Sequence, residues 1–146
     1  MPLALMVLSG LCGACATQPV MRPARHVVLS EVHRARGASW IPSEAEIEAL
    51  ESDLGALWAR PDGRMSRKTK LKLSDYVVRY RGVESDGRRF IVGEGLHTSM
   101  GHLERFLKEE RGSGWLSIGG GWDFVFEMRY EVAPKRVITV NFGAAL

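Results

Sequence analysis

The chain has 146 residues, of which 45% are hydrophobic and 25% charged, the balance of one globular domain. That excludes a wholly disordered chain, a collagen-like repeat and a multi-pass membrane protein. Twenty Lys and Arg against 17 Asp and Glu leave a net charge of +3, an excess too small to imply a nucleic-acid partner by itself.

Leu3 to Leu11 (LALMVLSGL) form an apolar run, too short to span a bilayer and of the length found in signal-peptide cores. Small residues, Gly13 and Ala14, precede Cys15, and Ala16-Thr17-Gln18-Pro19 turns polar at once. This arrangement resembles the lipobox of bacterial lipoproteins. The resemblance implies cleavage before Cys15 and a diacylglyceryl group on its sulfur, with the acyl chains supplying membrane affinity. It also implies an outer-membrane address facing the periplasm, because the residue after Cys15 is Ala16 rather than Asp. A plain secretory signal, an uncleaved anchor and a Cys12–Cys15 disulfide are the alternatives. The expected organisation is a signal peptide over 1–14, a lipidated Cys15 with a tether over 15–40, and an α+β domain over 41–146.

Pro19 and Pro23, interspersed with Arg22, Arg25, Arg34 and Arg36, suggest a segment that holds the domain off the membrane. Val27-Val28-Leu29 pairs as an edge strand or packs as a satellite, and no chemistry is assigned to His26 or His33. Ser43 followed by Glu46 is a capping-box pattern. Ile47, Leu50, Leu54, Leu57 and Trp58 then fall on one helical stripe, with Glu44, Glu46, Glu48, Glu51 and Asp53 on the other face. The spacing predicts an amphipathic helix over 44–59, stopped by Pro61 and Gly63.

Between residues 60 and 72, Arg60, Arg64, Arg67, Lys68, Lys70 and Lys72 face a lone Asp62. Such a stretch is either a solvated loop or a patch that docks anionic lipid headgroups, lipopolysaccharide or an acidic partner. Strands follow. Tyr76, Val78 and Tyr80 alternate with Val77, Arg79 and Arg81. Asp86-Gly87 is a hairpin turn, and 88–93 returns as a second strand. Trp122 to Val132 alternates aromatic with polar residues and predicts a third strand with one buried and one wet face. Ala133-Pro134-Lys135 turns the chain into a last strand over 137–142. The fold class expected is α+β: one amphipathic helix packed on a four-stranded antiparallel meander, in two layers.

That order is similar to cystatin-like folds. The hairpin DYVVRYRGVESDGRRFIV and the segment GGGWDFVFEMRYE also resemble small uncharacterised bacterial envelope proteins, which bring no known activity with them. The irregular stretch over 95–118 holds His97, Ser99, His102 and Glu104. His97 and His102 stand five apart, not at the His-Glu-x-x-His spacing that places two ligands on one helix face. They and Glu104 are therefore weak metal candidates. Ser99 has no Gly-x-Ser-x-Gly turn around it. Met100, Leu103, Phe106 and Leu107 suggest a short helix packed on the domain edge. Gly119-Gly120-Gly121 precedes a strand rather than a helix and reads as a tight entry turn.

The residues therefore favour a non-enzymatic binding module of the cell envelope, with no cofactor, no nucleic acid and no catalytic set. Its partners would be the membrane, through the anchor, and an envelope protein or anionic lipid. The interaction surface expected combines Arg64, Arg67, Lys68 and Lys70 with the strand cations Arg79 and Arg81. The alternatives are a periplasmic hydrolase or metal-dependent enzyme centred on the 95–118 loop, and an inhibitor or immunity-type protein.

Overall fold

A computed structural model describes residues 21–29, 39–65, 67–101, 103–108 and 122–143. Cys15, the leader, His33, His102 and the triple glycine lie outside them. The helix α1, Glu44–Trp58, begins where the capping box places it: the Ser43 side chain accepts from the Glu46 amide, and the Glu46 carboxylate accepts from the Ser43 N–H at 2.8 Å. Ile47, Leu50 and Leu54 are fully buried, as the stripe predicts, but Glu51 is buried with them. Among the described residues no helix is long and apolar enough to cross a membrane.

The strands β1 (Arg25–Val28), β2 (Ser39–Trp40), β3 (Tyr76–Ser85), β4 (Arg88–His97), β5 (Val125–Glu131) and β6 (Arg136–Phe142) form one open sheet. Its order is β1-β3-β4-β5-β6, with β2 pairing β3 off that path. The meander β3–β6 is antiparallel throughout, as expected. The addition comes from the segment before α1. β1 pairs in parallel with Val77 to Tyr80 of β3, and β2 pairs antiparallel with Gly82 and Val83 of the same strand. Val27 and Val28 thus take the edge-strand alternative, because β3 is longer than any single neighbour on that side.

The β3–β4 hairpin closes through Asp86 and Gly87 at φ 52° and 70°, the positive values that a two-residue turn matched to strand twist requires. One boundary departs from the alternation. Trp122–Phe124 is a 3₁₀ turn, not strand, and β5 starts at Val125. The turn is held from outside: the Tyr76 hydroxyl donates to the Asp123 carbonyl, and Thr69 Oγ1 donates to Asp123 Oδ2 at 2.9 Å.

The face under α1 carries Tyr76, Val78 and Tyr80 from β3, Ile91 from β4, and Phe126, Met128 and Tyr130 from β5, all essentially inaccessible to solvent. Gly95 lies directly beneath Phe126, and a Cβ at that position would come within 2.1 Å of the ring. The opposite face is not the wet face that the polar positions suggest. A second helix, α2 (Leu103–Lys108), lies across it, and Phe106 and Leu107 pack with Val77 and Leu96. At that end the sheet is covered on both sides, so the two-layer description holds only for the part beyond α2.

Candidate functional site

The basic segment after α1 is pinned by its few non-basic residues. Met65 is inserted into the main core at 2% exposure. Thr69 is buried, with its hydroxyl on Asp123, and it accepts from the Leu71 amide at 3.0 Å. Trp58 Nε1 donates to the Leu71 carbonyl at 3.1 Å. Asp62 Oδ1 accepts from the Arg64 amide at 2.9 Å, which tightens the turn. With these residues drawn inward, Arg60, Arg64, Arg67, Lys68 and Lys70 are exposed.

Between this loop, the C-terminal half of α1 and β6 lies a cleft of about 300 Å³. Its charged lining is Arg60, Arg64, Lys68 and Arg136 against Asp53, and residues 137–141 of β6 form one wall. Asp53 Oδ2 accepts from the Val137 amide at 2.8 Å, and Lys68 Nζ donates to the Val140 carbonyl at 2.7 Å. Arg136 shares Glu131 with Arg88: its Nη2 stands 3.2 Å from Glu131 Oε2. Four cations around one open cleft make a surface of positive potential that suits an anion.

Of the expected interaction residues, Arg64 and Lys68 line the cleft. Arg67 sits beside it, its guanidinium donating to the Asp62 carbonyl at 3.3 Å. Arg60, from the same basic stretch, joins them, and Arg136 enters unforeseen because only the fold brings β6 against this loop.

Arg79 and Arg81 do not belong to this surface. Arg79 is 7% exposed and its Nε bonds Glu94 Oε2 at 2.9 Å. Its Nη1 donates to the Phe106 carbonyl at 3.0 Å, and its guanidinium lies over the Phe106 ring. The expected exposed basic strand face fails there because α2 closes over it. Arg81 is half-buried on the same sheet face. Burial pushes the Glu94 carboxyl above its ordinary range, outweighing the downward pull of Arg79 and Arg81.

His97 ends β4, packed edge-on against Tyr76 and Phe124. Its Nδ1 lies 2.6 Å from Ser99 Oγ and accepts from the Ser99 amide at 3.1 Å. Both groups come from one residue two positions on, so the contact closes a local turn. Glu104 is directed elsewhere, to Arg25 Nη1 at 2.9 Å, where it ties α2 to β1. Among the described residues no three His, Cys, Asp or Glu side chains gather to hold a metal ion. Burial pushes the neighbouring Tyr76 hydroxyl up to about 12.

One polar cluster escaped the sequence reading. Glu51 Oε1 lies 2.7 Å from His26 Nδ1 and accepts from the Tyr80 hydroxyl at 3.3 Å. Burial, reinforced by Glu51, raises the Tyr80 hydroxyl far above its usual range. The signal was present: Glu51 falls four residues after Ile47 and three before Leu54, inside the apolar stripe. It is a buried acid held by a strand that reads as tether.

Compared with protein-family models, with curated proteins and with solved structures, the chain matches none.

Proposed function

We propose that this chain is a bacterial envelope lipoprotein, acylated at Cys15 and facing the periplasm from the outer membrane, whose α+β body is a non-enzymatic module that binds an anionic partner. The observation that carries the binding part is the cleft where Arg60, Arg64, Lys68 and Arg136 converge on the edge of β6. The anchor rests on the resemblance of the apolar run and Cys15 to a lipobox. The finer likeness of the body, a cystatin-like helix on a meander, belongs to the same reading and is supported by the order α1 then β3 to β6. The anion is a carboxylate or phosphate presented by a headgroup or by an envelope protein.

Two measurements on the full-length chain test this. Mass spectrometry after expression in a Gram-negative host is expected to find an N-terminal acylated Cys15; an unmodified sulfur overturns the anchor. Titration with polyglutamate and tripolyphosphate is expected to show binding that weakens with salt and falls about tenfold or more in the Arg60→Glu, Arg64→Glu double variant. Equal binding by that variant overturns the role of the cleft.

The contact between Ser99 Oγ and His97 Nδ1 favours a second reading, a small hydrolase using Ser99 as nucleophile and His97 as base. Hydrolysis of an activated ester that disappears in both Ser99→Ala and His97→Ala would establish it. A rate unchanged in either variant eliminates it.

A further inference from the structure

We infer that the partner of the basic cleft is an extended acidic peptide segment that adds as a strand to the outer edge of β6; this rests on the anion-binding reading above. Among the described residues β6 is the last strand on its side of the sheet, and one row of its backbone groups meets no strand there. Two of those groups point into the cleft. The Val137 amide is met by the Asp53 carboxylate and the Val140 carbonyl by the Lys68 ammonium. A carboxylate in place of a strand carbonyl and an ammonium in place of a strand amide reproduce the chemistry of a missing neighbour.

The two surrogates differ in what they leave open. Asp53 sits on α1, which closes the cleft at Val137. Lys68 reaches Val140 from an exposed loop on a long flexible stem, so a segment laid along 138–141 can displace it from the carbonyl. The released ammonium then faces the segment's own carboxylates. Ile138, 43% exposed in the same wall, supplies an apolar contact. Arg60 and Arg64 stand across the cleft from this edge and fix the sign of the partner's side chains.

A peptide is favoured over a lipid headgroup because of the strand edge. A headgroup engages the cations alone, whereas a peptide also satisfies backbone donors and acceptors, which is how strand addition gains affinity. An unprotected edge otherwise invites unwanted pairing. Here the edge is held by Lys68 on the Val140 carbonyl, and a strand that carries carboxylates can take that carbonyl while pairing the released ammonium.

The test uses the detergent-solubilised full-length chain and four probes: a short alternating Glu–Val peptide, the same peptide N-methylated at every second amide, inorganic phosphate, and a short-chain phosphatidylglycerol. The unmethylated peptide is expected to bind, with amide NMR shifts centred on residues 137–141. Methylation of the amides that face β6 is expected to weaken it roughly tenfold, the scale of losing about two backbone hydrogen bonds. The Arg60→Glu, Arg64→Glu variant, altered only at exposed positions, is expected to lose binding while its thermal unfolding stays unchanged. Equal binding of methylated and unmethylated peptides overturns strand addition and leaves anion binding standing. Binding of phosphatidylglycerol without peptide binding assigns the cleft to a membrane and overturns the inference. Failure of every anion overturns the underlying reading as well.

Discussion

The two faces of the sheet bury their residues by different means. Under α1 the face is built from aromatic rings in mutual contact: Trp58, Tyr76, Phe126 and Phe142 have centroids 5.0 to 6.0 Å apart. On the other face, beside the apolar cluster of Val77, Leu96, Phe106 and Leu107, arginines supply much of the shielding. Arg79 lies over Phe106, while Arg88 and Arg129 lie over Phe90, which is only 5% exposed. Buried acids, Glu94 and Glu131, neutralise this layer. A guanidinium has a flat, weakly hydrated body that covers an apolar surface while its edges keep hydrogen-bond partners. Polar alternation along a strand therefore does not define a solvated face when the polar residues are arginines and their acids.

The largest effect belongs to the ring face. Phe126 touches Tyr76, Trp58 and Phe142 and occupies the space left by Gly95. Phe126→Ala is expected to cost about 3–5 kcal/mol in chemical denaturation, the transfer and cavity cost of a buried ring. A loss near 1 kcal/mol would mean that this face repacks freely, and the contrast between the faces would weaken.

On the opposite face the comparison sharpens through Arg79. Arg79→Met leaves Glu94 buried without its cation and is expected to cost about 3 kcal/mol. The double variant Arg79→Met, Glu94→Met is expected to recover most of that, because two apolar side chains replace the pair together. A double variant as unstable as the single one would show that the ion pair itself stabilises the fold. The pH dependence follows from the upward shift of Glu94. The folded state holds the Glu94 proton more tightly than the unfolded chain, so its favourable contribution is complete below the unfolded value. It is lost as pH rises from about 4.3 through the folded value. Glu94→Gln is expected to remove this decline from the stability–pH profile. Glu46 has the opposite sign. Its burial is outweighed by Ser43 and Arg89, which hold it below the usual range, so its contribution is lost in acid.

Much of this was legible along the chain. The cap at Ser43, the stripe Ile47–Leu50–Leu54, the Asp86-Gly87 turn and the β5 alternation each arise from residues close in sequence. What stayed hidden depends on contacts across large separations. Lys68 meets Val140 72 positions away and Asp53 meets Val137 84 positions away. No local pattern marks either pair. Thr69 and Tyr76 turn Trp122–Phe124 out of the strand for the same reason. The basic run and the last strand were each visible, but their meeting in one cleft was not. Arg79 and Arg81 read as exposed along the chain because a strand pattern shows which side a residue takes and not what covers that side. For Val27-Val28-Leu29 the local pattern leaves edge strand and satellite open, because what holds β1, its pairing with β3, Val28 against the main core and His26 on Glu51, joins separate elements.

Arg129 tests the smallest claim. Its guanidinium carbon stands 3.9 Å from the Phe90 ring centre, while its Nε is buried with no hydrogen-bond partner among the described residues. Stacking of a cation on a ring contributes about 0.5–1 kcal/mol at a partly exposed site. A buried N–H left unsatisfied costs about 1–3 kcal/mol. Arg129→Met keeps a flexible apolar cover over Phe90 and removes the unsatisfied donor, so the gain equals or exceeds the loss. Its unfolding free energy is expected to stay level or rise by up to about 2 kcal/mol. A loss above about 1.5 kcal/mol would show that on this face the charge, and not the flat apolar body, does the covering.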